Sequence, residues 1–299
     1  MPQLITITDP ADPRVDAYRA QKDAWLRARH RESGGPAAGD ATGTGYDGGL
    51  FMAEGALVLR QLAESRYQAE SLLVIEARLT GIEPELKRLA DETPVYAVSR
   101  EIMEQICGFD MHRGILCAAR RGIDRTAEEV MDAAAVLVVL EDLSNHDNVG
   151  GIFRSAAALA GPDRVGVLLS PRCCDPLYRK AIRVSMGWAL RVPFATIDPW
   201  PQGIARLHER GWTTLAMTPG EGSVPIGQIE REPGTIAKRA ILIGAEGPGL
   251  SDATLAVATR KVRIPIHPAV DSLNAMVSAS IAIERLGGVG GGGGGLSPG

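Results

Sequence analysis

The feature that most narrows the possible folds is a series of short aliphatic runs in the second half of the chain, bounded by turn residues and separated by helical patterns. Residues 135–140 (AVLVVL), 164–169 (RVGVLL), 190–194, 213–217 (TTLAM), 240–244 (AILIG) and 261–266 (KVRIPI) read as strands, and residues 149–160, 177–187, 202–210 and 273–286 as helices. A strand with no polar alternation must be covered on both faces, and helices crossing between parallel strands provide that cover. The expectation is an α/β domain with a mostly parallel sheet over residues 133–287.

At 299 residues the chain has room for a second unit. A strand over residues 4–8 is followed by Asp9-Pro10 and Asp12-Pro13, which signal a turn and the start of a polar helix ending near Arg31. Residues 33–49 (SGGPAAGDATGTGYDGG) offer little apolar area to offset their ordering entropy and read as a loop. Helices over 54–65, 84–90 and 101–106 then alternate with strands over 71–76, 95–98 and 114–119. This suggests a small α/β domain over residues 50–125, preceded by an extension over 1–49. The charged stretch 120–133 reads as the connection between domains, and the glycine-rich residues 287–299 as a disordered tail, with 288–299 outside any domain.

Hydrophobic residues at 45% and charged residues at 23% exclude wholesale disorder and fibrous architectures. No apolar run is long enough to cross a bilayer, and the first residues carry neither a basic nor an apolar leader segment, so a cytoplasmic protein without a membrane partner is expected. Cys107, Cys117, Cys173 and Cys174 fit neither a disulfide framework nor a zinc knuckle, so idle thiols and no metal are expected. A net charge of −4 does not advertise a nucleic-acid binder, although phosphate affinity depends on local charge. Arg27, Arg29, Arg31, Arg113, Arg120, Arg121 and Arg125 are candidates for phosphate contacts, or simply solvated arginines.

Three glycine- and polar-rich segments fall at expected strand ends, where open α/β sheets bind ligands. In the first, residues 141–157 (EDLSNHDNVGGIFRSAA), Asn148, Gly150 and Gly151 open a helix and Arg154 follows one turn later. That combination suits an anion, and would equally serve as a helix cap with a solvated arginine. In the second, residues 243–251 (IGAEGPGLS), Glu246 sits among glycines directly after a strand. It lacks the lysine of a phosphate loop and the spacing of a dinucleotide fingerprint, leaving a tight ligand-approach loop or an ordinary glycine turn. In the third, residues 262–279, Pro265 and Pro268 end a strand and Asp271-Ser272 form a plausible cap. The small residues of the helix beyond allow close packing on another helix or a partner subunit.

Together these segments resemble the signature motifs of the SpoU (TrmH-type) ribose 2′-O-methyltransferases, in the knotted SPOUT class. The N-x-G-x-x-x-R form appears as Asn148 through Arg154, the G-x-E-G-x-G form as Gly244 through Gly249, and the I-P-…-S-L-N form as Ile264-Pro265 through Ser272-Leu273-Asn274. Residues 52–65 and His112-Arg113-Gly114-Ile115 are similar, less specifically, to the small RNA-binding domain related to ribosomal protein L30e that often precedes this fold.

The resemblance implies a trefoil-knotted carboxy-terminal domain that binds S-adenosylmethionine, acts on ribosomal or transfer RNA, and works as a homodimer. It assigns Gly244, Ile264 and Leu273, with Met217 and Thr218 as a further wall, to the methyl donor. Asn148, Arg154, Glu246, Ser272 and Asn274 become the polar side chains of the reaction centre. A base-modifying relative and a non-catalytic RNA-binding protein of the same fold are the alternatives.

Overall fold

The computed structural model describes residues 2–19, 49–108, 111–231 and 238–287. Of the expected helix ending near Arg31 only the start is described, as a 3-10 helix over Pro13–Tyr18 capped by Asp12; most of the loop 33–49, the tail 288–299, and Arg27, Arg29 and Arg31 lie outside the described residues. In chain order the elements are β1 (Leu4–Thr6), β2 (Leu50–Glu54), α1 (Ala56–Ala63), β3 (Gln68–Ile75), α2 (Glu83–Leu86), β4 (Val95–Val98), α3 (Arg100–Cys107), β5 (Ile115–Arg120) and α4 (Ala127–Ala133). There follow β6 (Val136–Leu140), α5 (His146–Ala160), β7 (Val165–Leu169), α6 (Arg179–Val184), β8 (Phe194–Thr196), α7 (Ile204–Glu209), β9 (Thr213–Met217) and β10 (Val224–Pro225). The last are α8 (Ile226–Arg231), β11 (Arg239–Ile243), α9 (Asp252–Val257), β12 (Arg260–Arg263) and α10 (Ala275–Gly287).

The chain divides into two compact units, one of Met1–Asp124 with Asp175–Arg191, the other of Arg125–Cys174 with Val192–Gly299. The first holds a five-stranded sheet in the order β1-β4-β3-β5-β2, with β5 antiparallel to β2 and β3. Its core gathers Val15, Tyr18, Leu73, Val98, Met103 and Leu116. The segment Asp175–Arg191 makes one buried and one partly buried ion pair within this unit. Arg121 meets Asp175 at 2.8 Å, both side chains 6% exposed, and Arg179 meets Glu54 at 2.9 Å. Removing one member of the buried pair strands the other charge and costs about 3–5 kcal/mol.

Several expectations for the first unit need correction. The helix expected over 54–65 is present as the shorter α1, Ala56–Ala63, and a strand the periodicity does not predict, β2, precedes it, with Phe51, Met52 and Ala53 buried against β5. The charged stretch expected as a connection contains α4, which belongs to the second unit. Its charges include a capping box, in which Thr126 accepts from the Glu129 N–H and the Glu129 carboxylate accepts from the Thr126 N–H. Val130 and Met131 are fully buried.

The second unit holds a seven-stranded sheet in the order β10-β12-β9-β11-β6-β7-β8, parallel at every pairing. This is the α/β fold with a mostly parallel sheet expected of these aliphatic runs. Alternate residues Leu137, Val139, Ala240 and Leu242 share one face with α4, α7 and Trp212. Helices α5 and α10 pack on each other, and Ser280 donates to Ser155 at 2.7 Å across them. This answers what the small residues of the last helix pack against.

The strand expected over 190–194 starts later, as β8, because Pro193 lacks the N–H a ladder needs; its carbonyl accepts from Val167 as the strand begins. The expected helix 177–187 shrinks to α6 followed by a 3-10 turn over Trp188–Leu190. β12 ends at Arg263, before Pro265. Three short elements, β10, α8 and α9, carry no periodic signal of useful length.

Close packing of α5 on α10 depends on Gly151. A Cβ there would lie 1.9 Å from Met276 Sδ and 2.8 Å from its Cγ. Gly151→Ala is therefore expected to cost about 1–3 kcal/mol of overpacking strain, and adding Met276→Ala to relieve part of it. Denaturant titration of both variants checks this, and a double variant less stable than Gly151→Ala alone would contradict it.

Candidate functional site

Parallel strands bring their carboxyl ends to one edge, and the loops after β9, β11 and β12 meet there around a cavity of about 460 Å³. Met217, Thr218, Gly244, Ile264 and Leu273, the residues expected to hold a cofactor, all line it. Glu246 and Ser272 from the expected reaction centre line it too. Its other charged lining residues are Asp252 and Asp271, and no lysine or arginine is among them. Such a lining favours a cation over a phosphate.

Gly244 opens the loop after β11 and permits its sharp return. A Cβ there would sit 2.1 Å from the Gly249 carbonyl carbon and 2.2 Å from Leu250 N. The loop closes on itself through Gly249 N–H donating to Ala245 O at 3.0 Å.

Asn274 organises the polar side chains. Its Oδ1 accepts from Met276 N at 2.9 Å and Val277 N at 3.2 Å, so the cap of α10 is Asn274 and not the expected Asp271-Ser272 pair. Its Nδ2 donates to Asn148 Oδ1 at 3.0 Å and to Glu246 Oε1 at 2.7 Å. Two acceptors on one side of the amide and two backbone donors on the other fix its orientation. Asn148 is 4% exposed and lies in the first turn of α5, whose cap is Asn145, accepting from Asp147 N at 2.9 Å. The structure thus joins Asn148, Asn274 and Glu246 in one hydrogen-bonded set.

Arg154 is not part of that set. It is exposed on α5, and no described residue pairs with it. Six positions on a helix amount to a turn of about 600° at roughly 3.6 residues per turn, which puts Arg154 about 120° around α5 from Asn148.

Two acidic neighbours after β6 were invisible in the sequence as site residues. Glu141, 2% exposed, accepts from Trp200 Nε1, Ser251 N, Ser251 Oγ and Thr254 Oγ1. Asp142 adopts φ 56 and turns the other way to accept from Ser170 Oγ at 2.8 Å. The Arg172 guanidinium first, and then that hydroxyl, hold the Asp142 carboxyl below its usual range. The only sequence signal was a carboxylate at the end of a wholly aliphatic strand. Three of the thiols are poor nucleophiles: burial pushes Cys107 up to about 11 and raises Cys117 and Cys173 as well.

The model of the SpoU rRNA methylase family matches residues 135–284. The chain belongs to that family. It is 37% identical over 281 residues to an uncharacterized tRNA/rRNA methyltransferase of Mycobacterium bovis, covering 92% of this chain and 89% of the relative. Among solved structures, an AdoMet-bound rRNA methyltransferase from Sinorhizobium meliloti superposes with a TM-score of 0.71 at 19% identity, covering 95% of this chain and 97% of that one. An RNA 2′-O ribose methyltransferase superposes with a TM-score of 0.67 at 24% identity, covering 94% and 97%. At such identities the structural likenesses show the fold, and the family membership makes this chain an RNA methyltransferase of the SpoU type.

Proposed function

We propose that the protein takes up S-adenosylmethionine in the cavity and transfers its methyl group to a ribose 2′-hydroxyl of ribosomal or transfer RNA. The observation that carries this reading is a ligand-sized cavity with no basic residue in its lining, whose wall includes Glu246, itself hydrogen-bonded by the same Asn274 amide that donates to Asn148. The cavity suits the donor: Ile243, Leu255, Ile264 and Leu273 offer apolar cover for a purine, and Glu246, Asp252 and Asp271 favour a cation. When bound, the donor supplies a methyl carbon already activated by its sulfonium.

The chain's own residues then have to bind, orient and manage one proton. Gly244, Ile264 and Leu273 hold the donor largely through backbone groups, with Met217 and Thr218 as the opposing wall. Asn274 keeps Glu246 and Asn148 in fixed register, and Ser272 offers a hydroxyl beside them. A guanidinium presents five N–H donors and no acceptor, so Arg154 is not assigned as the base. Its fork holds the RNA phosphate next to the target ribose and stabilises the developing alkoxide, while a phosphate oxygen or water relays the proton.

The same reading makes the second unit trefoil-knotted, the protein a cytoplasmic homodimer, and the first unit an L30e-like RNA-binding domain. Among the described arginine candidates, Arg121 is buried against Asp175 and Arg120 is paired with Glu70, so Arg113 and Arg125 are the described ones offered for phosphate contacts.

Nucleoside mass mapping of ribosomal and transfer RNA from cells with and without the protein tests the reading. Loss of one ribose-methyl mark on deletion is expected. Loss of a base-methyl mark would favour base modification, and an unchanged map in both pools would favour a non-catalytic RNA-binding role.

A further inference from the structure

Glu141 grips both ends of the loop that forms one wall of the cavity. Its backbone N–H donates to Ile243 O at 2.9 Å, immediately before Gly244. Its carboxylate accepts from Ser251 N at 3.1 Å and Ser251 Oγ at 2.7 Å, immediately after Leu250. Residues 244–250, with Glu246 among them, span these two anchors. The carboxylate also accepts from Thr254 Oγ1 at 3.0 Å, within α9, and from Trp200 Nε1 at 2.8 Å. Its position follows from strand alternation: Leu137, Val139 and Glu141 point to one face, so the carboxylate emerges on the side of α9 and Trp200.

These four donors select a carboxylate. A carboxylate accepts on both oxygens and donates on neither, whereas an amide of the same shape would turn its NH2 toward Ser251 N–H or toward the cluster of hydroxyl and indole donors. At 2% exposure no water can fill a broken bond without rearrangement, so the mismatch would push Ser251 away and release the carboxyl end of the loop.

We infer that Glu141 is a positioning residue for methyl-donor binding, acting through Ser251 on the loop 244–250. This rests on the cavity being the donor site. Glu141→Gln keeps the backbone anchor and removes the carboxylate. Steady-state kinetics on the full-length protein should show the KM for S-adenosylmethionine raised by about tenfold to a hundredfold, the cost of a buried donor left unpaired. The KM for RNA should stay within about threefold, and kcat at saturating donor should fall by a smaller factor than the donor KM rises, because Glu246 keeps its separate bond from Asn274. A role in general stability alone would instead lower kcat through the active fraction and leave the donor KM unmoved.

Ser251→Ala removes one of the bonds while leaving Glu141 in place, and should raise the donor KM severalfold with the same split. It carries the test if Glu141→Gln does not fold. Folded variants with an unchanged donor KM would overturn the positioning role while leaving the donor site standing. Wild-type protein that takes up no S-adenosylmethionine in calorimetry would overturn both.

Discussion

Replacing Gly244 with alanine should weaken methyl-donor binding by about a hundredfold while leaving the fold intact. The added Cβ would meet Gly249 C at 2.1 Å, Leu250 N at 2.2 Å and Gly249 O at 2.4 Å. All three are backbone atoms, so no side-chain rotation relieves the clash and the returning limb of the loop must move out. That limb carries the closing bond from Gly249 N to Ala245 O, and the loop displays Glu246 to Asn274. The clash is confined to a surface loop, whereas the sheet core of Leu137, Val139, Ala240 and Leu242 is untouched. Overpacking of this kind costs about 1–3 kcal/mol or more, which corresponds to a loss of affinity on the order of a hundredfold. Calorimetric titration with S-adenosylmethionine, paired with thermal melting in its absence, reads both terms. Uptake equal to wild type would mean that the loop is not a wall of the donor site.

Arg154→Lys should cost roughly a hundredfold to a thousandfold in kcat, as loss of a preorganised donor to a developing oxyanion does. Lysine keeps the charge and loses the planar fork, and its ammonium is a compact, strongly hydrated point. The variant should leave protein stability alone because Arg154 is exposed. It should leave donor affinity alone because Arg154 does not line the cavity. Single-turnover methylation with donor affinity measured in parallel separates the two. Near-normal catalysis by the lysine variant would rule out a role specific to the guanidinium.

What the sequence disclosed and what it concealed have a common physical origin. Strands buried on both faces, such as β6, β7 and β11, show as unbroken aliphatic runs and were legible with their ends placed within a residue or two. β2 was not, because its apolar residues run directly into those of α1 and the ion-pair partner of its buried Glu54, Arg179, lies far along the chain. The cofactor candidates were legible because glycines and prolines punctuate strand ends, and all of them line one cavity. The Asn274 cap and the Glu141 anchor were not. Each depends on which way one side chain turns among partners from distant segments: Asn148 and Glu246 in one case, Trp200, Ser251 and Thr254 in the other.

Incubating the purified protein with RNA and S-adenosylmethionine labelled in its methyl group, then digesting the RNA to nucleosides, tests the chemistry most directly. The label should appear on ribose, surviving removal of the base and blocking alkaline cleavage at the modified residue. Label on a base, or no transfer by folded protein that binds the donor, would contradict it.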